Sequence, residues 1–214
     1  MGCFAKGCLV VLIAGALLIG VGGIGIWLFY GKAVAVFTSP QPTDVRIENV
    51  SDADLRNAET KLNTLGQAAA SNEEITVEFT AGELNAMIAR EPLFIELSNR
   101  ARVSIADSLM TVEMSVPLDQ TALPKLGGRW FNGTARFGFT FTNDEFAFEL
   151  KSGEANGHSL PQEFFVGFAP TFNRSFNDRF RREVQKNNQA AVFWQHIKMI
   201  AVDRDKLVVV TQRL

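Results

Sequence analysis

The side chains suited to acid–base catalysis are few, and they are spread along the chain. The 214 residues include two histidines, His158 in a predicted loop and His196 beside a predicted strand. Catalysis of this kind needs titratable groups held together. Ser159 follows His158 without a G-x-S-x-G motif, so we expect it to cap a helix. Glu145 and Glu149 share one face of a predicted strand, but no cleft sequence accompanies this glycosidase-like pair. We therefore predict a non-enzymatic protein without a cofactor.

A glycine-rich run near the N-terminus has the spacing of a dinucleotide-binding loop. Residues 20–25, GVGGIG, match G-x-G-x-x-G, in which the glycines let a backbone approach a pyrophosphate. The apolar sequence around the run, without a following alternation of strands and helices, argues against that function. Ala16, Gly20 and Gly23 instead form a small-residue stripe that allows two membrane helices to pack closely. A homodimer through this stripe and the ordinary abundance of glycine in membrane helices both remain open.

Both cysteines, Cys3 and Cys8, precede the apolar segment of the chain. No disulfide and no cysteine metal site is therefore expected in the domain that follows. The start Met1-Gly2-Cys3 is similar to a dual-acylation signal, but Lys6 stands where myristoylation needs serine or threonine. Acylation of either cysteine and unmodified thiols remain alternatives. No spacing of histidines and carboxylates predicts a metal site.

Charge is segregated along the chain. Residues 41–97 contain 11 acidic and 4 basic side chains, whereas residues 174–214 contain 9 basic and 4 acidic ones. A group of basic residues within one predicted helix is a candidate for contact with anionic lipid headgroups or an acidic partner. This group consists of Arg174, Arg179, Arg181, Arg182 and Lys186. The alternatives are contact with the acidic helix of the same domain, or with water. The net charge of −2 argues against a nucleic-acid partner.

The elements that carry these residues begin with an uncharged segment from Leu9 to Tyr30. A helix of that length measures roughly 33 Å, enough to cross a hydrocarbon core of about 30 Å. Trp27 and Lys32 are typical of the membrane interface. The sequence therefore predicts a cytoplasmic tail over residues 1–8 and a single-pass transmembrane helix over 9–30. We expect a cell-membrane protein, in contact with the bilayer through this helix, whose C-terminal domain is extracytoplasmic.

A cleaved signal peptide is the alternative for the N-terminal segment. Ala33-Val34-Ala35 has the small-x-small form of a cleavage site. The apolar segment, however, exceeds the about 7–15 residues of a signal peptide, and Lys32 interrupts the approach to the site. We therefore expect an uncleaved anchor.

Beyond the anchor we predict a linker over residues 31–50 and an α+β domain over residues 51–214. Pro40 and Pro42 favour an extended linker. Ser51 opens a predicted helix over 51–70, whose thin, alanine-rich face is expected to lie against the domain or form a stalk rather than join the core. A capping box from Thr80 to Glu83 opens a second, shorter helix after a strand.

The rest of the domain alternates between two periodicities. The region 75–158 holds the strands and the short helix, and its central runs, from Val103 onward, alternate apolar and polar residues, which predicts an antiparallel meander. Helices follow over 161–195, with phenylalanine every four residues. Pro170 is expected to break or kink the first of them, most simply by splitting it into 161–169 and 170–186. A hairpin over 197–212 ends the chain. The fold class is α+β: an N-terminal transmembrane helix, then a twisted antiparallel meander covered on one face by helices.

Thirteen of the 18 phenylalanines lie between Phe131 and Phe193. One interpretation is an ordinary phenylalanine core. The other is an apolar groove between sheet and helix that binds an acyl chain or another apolar ligand. The candidate groove residues are Phe137, Phe139, Phe141, Phe146, Phe148, Phe168, Phe172 and Phe176.

Three segments resemble a known group when taken in order. They are ITVEFTAGELNAMI at 75–88, with its threonine-capped Leu84-Asn85, then SGEANGHSLP at 152–161, ending in Leu160-Pro161, and IAVDRDKLVVV at 200–210. After a single N-terminal span, this order resembles that of the YpmS-like single-span bacterial envelope proteins. The resemblance implies an envelope protein of poorly known function without catalytic residues, and by analogy it favours binding of apolar ligands.

We expect, then, a membrane-anchored, non-enzymatic extracytoplasmic domain that binds lipid or another apolar ligand. The alternative is a scaffold or assembly module that contacts another envelope protein and in which the groove is closed. An envelope hydrolase is the third interpretation.

Overall fold

A computed structural model describes residues 36–47, 50–94, 97–118 and 127–214, without the side chains of Leu93, Glu163, Phe164 and Phe168. The predicted transmembrane helix over 9–30, the small-residue stripe and both cysteines lie outside the described residues. Among the helices within the described ranges, none is both long enough and apolar enough to span a membrane.

The described chain is an α+β domain built on one antiparallel sheet. Its elements in chain order are α1 (Asp52–Ala70), β1 (Thr76–Thr80), α2 (Ala81–Arg90), a 3-10 turn (Pro92–Phe94), β2 (Ala101–Ala106), β3 (Leu109–Pro117), β4 (Trp130–Thr142), β5 (Glu145–Ala155), β6 (His158–Ser159), α3 (Gln162–Gln185), α4 (Asn188–Gln195), β7 (Ile197–Asp203) and β8 (Lys206–Thr211).

Strand β4 is the central strand of the sheet. One of its edges pairs with β5 from Gly133 to Thr142. The other edge is shared, since β3 pairs with residues 130–137 and β7 with residues 140–142. The hairpin β2–β3 and the hairpin β7–β8 therefore lie end to end beside β4. Their turns meet where the Ser108 N–H donates to the Arg204 carbonyl at 2.8 Å. Strand β1 then pairs with β8 and ends that side of the sheet.

Helix α1 joins the core. Its N-terminus is capped as the sequence predicts, because the Ser51 hydroxyl accepts hydrogen bonds from the N–H groups of Ala53 and Asp54 at 3.1 and 3.3 Å. Leu62 and Leu65, at 3% and 2% exposure, belong to the same buried cluster as the sheet residues. The expectation that this helix stays out of the core is wrong. A narrow apolar face suffices because small alanine side chains let the helix approach its neighbours closely.

Residues 36–47, which we call the strap, are joined to the sheet by hydrogen bonds. Ser39 and Trp130 exchange two backbone hydrogen bonds of 2.8 and 2.7 Å. The Arg129 guanidinium donates to the Thr38 hydroxyl and, at 2.7 Å, to the Thr38 carbonyl. The Thr43 N–H donates to side-chain oxygens of Ser115 and Asn132. This part of the predicted linker is thus bound to the domain.

Helix α3 runs without a break from Gln162 to Gln185 and includes Pro170. The predicted break is wrong. Proline removes one helical hydrogen bond, which leaves the Val166 carbonyl without its usual donor. Val166 is 73% exposed, so water can serve that carbonyl while the buried rings on the helix hold it straight enough to pack. The predicted cap at Ser159 is also wrong, since Ser159 lies in β6 and the residue before the helix is Pro161.

Candidate interaction surfaces on helix α3 and strand β1

The phenylalanines predicted to line a groove form a closed core instead. The seven whose side chains are described are at most 9% exposed: Phe137, Phe139, Phe141, Phe146, Phe148, Phe172 and Phe176. Their rings touch one another, with centroids 4.6 Å apart for Phe141 and Phe146 and 4.9 Å apart for Phe148 and Phe176. The side chain of Phe168 lies outside the described residues. Among the described residues, rings fill the space between α3 and the sheet.

Two asparagines attach α3 to the outer edge of β5. The Asn177 side-chain amide accepts from the Phe146 N–H and donates to the Phe146 carbonyl, both at 2.8 Å. Asn173, one helical turn earlier, bonds in the same way to Phe148, at 2.9 and 3.1 Å. Each amide replaces the peptide group that a neighbouring strand would supply. The helix thereby covers a strand edge that is otherwise open to association.

Helix α2 uses the same device on β2. The Asn85 amide accepts from the Val103 N–H at 2.8 Å and donates to the Val103 carbonyl at 2.7 Å. Leu84 beside it is 1% exposed. This assigns structural roles to the Leu84-Asn85 pair. Sequence reasoning missed all three edge-capping asparagines, although Asn173 and Asn177 stand four residues apart beside the phenylalanine repeat, a visible signal.

Strand β1 is the third edge of the sheet, and its outer side borders a groove of about 410 Å³. Helix α1 forms one wall through Lys61 and Thr64, and the strand supplies Thr76, Glu78 and neighbouring residues. Lys61 donates to both carboxylate oxygens of the buried Glu83, at 2.5 and 2.7 Å. Among the described residues, no asparagine covers this edge.

The predicted basic residues lie on the solvent side of α3, and all five are exposed. Arg181 pairs with Glu145, and Lys186 donates to Glu183 at 2.7 Å. The hydrogen bond from Lys186 lowers the pKa of Glu183, and the charges of Arg179 and Arg182 lower it further. Within the described part of the chain, Arg174, Arg179 and Arg182 form no ion pair. We call the five residues Arg174, Arg179, Arg181, Arg182 and Lys186 the basic face.

Only some basic residues of the C-terminal part of the chain contact acidic residues of the N-terminal part. Lys198 on β7 donates to Glu74 at 2.7 Å, and Lys206 on β8 donates to Glu78 at 2.5 Å. These contacts join the basic C-terminal part of the chain to the acidic N-terminal part. The basic face is different, since the acidic partner of Arg181 across elements is on β5.

The structure does not bring the candidate catalytic residues together. His196 lies in a turn and is only 7% exposed, and its Nδ1 lies 3.3 Å from the Gln212 carbonyl. The ring of the exposed His158 packs edge-to-face against the ring of Phe37. Glu145 and Glu149 engage different bases, Arg181 and Lys151. In the described ranges, no group of three or more histidine, cysteine or acidic side chains is placed to hold a metal ion.

Comparison with protein-family models, with curated proteins and with solved structures finds no match to this chain.

Proposed function

We propose that the chain is a single-pass membrane protein whose extracytoplasmic domain is a non-enzymatic assembly module. In this proposal the basic face of α3 contacts an acidic surface on another envelope protein. The proposal adopts the second of the functions expected from the sequence, in place of binding of an apolar ligand. The element order that resembles YpmS-like envelope proteins agrees with this location.

The observation that carries the proposal is the state of three arginines on α3. Arg174, Arg179 and Arg182 are exposed and have no ion pair among the described residues. Exposed Lys198 is paired with Glu74, whereas Arg56, Arg204 and Arg213 are exposed without an ion pair in the described part of the chain but lie on separate segments of it. The three arginines of α3 share one helix. Arginine is well suited to bidentate contact with carboxylates across an interface.

The helix that carries these arginines is held rigidly from behind. Phe172, Phe176 and Phe180 are buried, and Asn173 and Asn177 bond to the backbone of β5. A preorganised surface loses less conformational entropy on association than a mobile one. The closed phenylalanine core supports a surface-binding module over a carrier of apolar ligands.

The predicted anchor limits how far the domain can lie from the membrane. The strap begins at Val36, six residues after the end of the apolar segment at Tyr30. Six residues of extended chain reach at most roughly 20 Å. If residues 9–30 span the bilayer, the end of the domain that carries the strap lies near the membrane. The domain is then within reach of a partner in the same envelope.

Photo-crosslinking in living bacteria tests the interface. The full chain carries a photoreactive phenylalanine analogue at Ser175, an exposed residue of α3 one turn before Arg179, and a matched control carries it at Asn63, an exposed residue of α1. We expect one protein adduct from position 175, none from 63, and its loss when Arg174→Gln and Arg179→Gln are added. Adducts with lipid alone, or equal adducts from both positions, would overturn the assignment.

Fractionation and proteolysis of cells test the anchor. The full-length chain is expected to stay in the membrane pellet after alkaline extraction. A C-terminal tag is expected to be digested by protease added to spheroplasts. An intact chain that enters the soluble fraction without detergent contradicts the anchor, and a protected tag contradicts the orientation.

A further inference from the structure

We propose that the groove along the free edge of β1 binds an extended peptide segment of a partner protein, which adds to the sheet as a further strand. This site is separate from the basic face and does not depend on it. The inference rests on the direction of backbone groups, on the contrast with the other two edges, and on the walls of the groove.

The ladder between β1 and β8 determines which backbone groups of β1 point outward. The Thr211 N–H donates to the Ile75 carbonyl at 3.0 Å, so Ile75 faces β8, as do alternate residues after it. Thr76 and Glu78 therefore direct their N–H and C=O groups away from β8, into the groove. In the described part of the chain, no group bonds to them on this side. The Thr80 N–H is different, because Glu83 accepts it within the capping box at 2.8 Å.

The edge of β1 differs from the other two edges of the sheet, where side-chain amides bond to the backbone. Asn85 bonds to the outward N–H and C=O groups of Val103 on β2, and Asn173 and Asn177 bond to those of Phe148 and Phe146 on β5. Helix amides thus occupy part of two edges, whereas none among the described residues reaches the third. At β1, the nearest helix instead contributes Lys61 and Thr64 to the wall of a groove. Two donors and two acceptors at the strand spacing fit the backbone of an extended peptide.

The walls favour a single peptide over a second copy of this chain. Helix α1 forms one wall of the groove through Lys61 and Thr64. Charged side chains at a strand edge oppose association of two sheets, and Glu78 on β1, paired with Lys206 on β8, places charges beside this edge. Lys61 and Lys206 are each paired with a carboxylate, and threonine hydroxyls complete the lining. The walls therefore suit polar, uncharged peptide side chains.

A random linear peptide library displayed on phage, panned on the detergent-solubilised full chain, supplies the probe. The decisive variant is Glu78→Pro, which removes an outward N–H and places a ring in the groove while sparing the β8 ladder. The matched control, Glu78→Thr, loses the Lys206 ion pair but keeps the N–H. Thr76→Pro repeats the test at the other outward residue. Fluorescence of the buried Trp194 verifies that each variant is folded.

We expect selected peptides to bind the wild type and Glu78→Thr alike, and to bind a folded proline variant at least about tenfold more weakly. Binding is expected to slow amide exchange at Thr76 and Glu78. Peptides that bind Glu78→Pro equally well, or that protect other amides, overturn the proposal, as does a library from which no binder is enriched. A wild-type dimer that becomes monomeric in Glu78→Pro would assign the edge to a second copy and overturn the peptide.

Discussion

At the scale of single residues, side-chain amides complete the backbone hydrogen bonding of the sheet. A buried N–H or C=O without a partner costs about 1–3 kcal/mol, so strand edges under a helix need donors and acceptors from that helix. Asparagine supplies one of each in the geometry of a peptide bond. The phenylalanines then contribute burial without having to satisfy any polar group.

Asn177→Ala is the direct test of this role. Asn177 is 7% exposed, and its loss leaves the N–H and C=O of Phe146 unpaired under the helix. We expect the free energy of unfolding to fall by about 2–4 kcal/mol in urea titrations. The control Asn63→Ala, on the exposed side of α1, is expected to change it by less than about 0.5 kcal/mol. Equal effects of the two variants would contradict the edge-capping role.

The ion pair between Lys198 and Glu74 makes a prediction about titration. The hydrogen bond from Lys198 lowers the pKa of Glu74 below its ordinary value. A lowered folded-state pKa means that the pair stabilises the fold above the unfolded pKa, and that this contribution is lost as pH falls through the folded pKa. We expect Lys198→Met to move the carboxyl titration of Glu74 upward in NMR spectra. An unchanged titration would show that the contact does not persist in solution.

Gly133 on β4 stands where no side chain fits. A Cβ there would lie 2.1 Å from the Glu154 carbonyl oxygen and 2.7 Å from the Phe131 ring. Because the first contact is with backbone, Gly133→Ala is expected to destabilise the protein by about 3 kcal/mol or more. Gly66→Ala in α1 is the matched change, since it meets nothing within 4 Å. It is expected to stabilise by about 0.5–1 kcal/mol. Thermal unfolding of both variants measures the contrast.

At the scale of elements, helix α3 tolerates a residue that should interrupt it. Pro170 lies nine residues into the helix, beyond the first turn where proline is neutral. We expect Pro170→Ala to raise the free energy of unfolding by about 1–3 kcal/mol, since an interior proline costs about 3 kcal/mol relative to alanine. Urea titration measures this change. A loss of stability would indicate that proline is needed to seat the rings of α3 on the sheet.

The sequence predicted those elements whose signals lie within a few neighbouring residues. The capping side chains of Ser51 and Thr80 marked two helix starts correctly, and the period-two alternation found the meander from β2 to β5. The continuity of α3 through Pro170 was missed because packing of distant rings outweighs one lost hydrogen bond. The burial of α1 was missed because it depends on how closely the partner surface approaches.

The candidate site was less predictable than the fold. The sequence placed the basic residues on one predicted helix but left their contact open between a partner, the acidic helix of the same domain and water. The structure shows that all five are exposed. The sequence did not predict that the space between sheet and helix is filled, because the same phenylalanine pattern suits an open groove or a closed core. The contacts of Phe146 with Phe176 and Phe180 in the structure distinguish the two. The free edge of β1 depends on strand order, which alternation does not encode.

At the scale of the whole molecule, the strap joins the domain to the chain that precedes it. Arg129→Met tests this joint, since its guanidinium holds the Thr38 carbonyl and hydroxyl. We expect faster amide exchange at Ser39 and Trp130 and a stability loss of about 1–3 kcal/mol, because hydrogen bonds to a charged group are involved. Arg102→Met, which removes an exposed pair with Glu113, is expected to cost less than about 1 kcal/mol. Unchanged exchange at Ser39 would show that the strap is held by its apolar contacts.

The repeats of α3 and β5 have similar but unequal lengths, so the helix and the strand stay in step only over a short stretch. Four helical residues advance about 6.0 Å and two strand residues about 6.6 Å. Two successive amides stay within hydrogen-bonding reach, but the mismatch grows with each repeat, and the next position along the helix is Ala169. In this sheet the helix therefore replaces a strand at two hydrogen-bonded positions, and strand β6 pairs with the far end of β5.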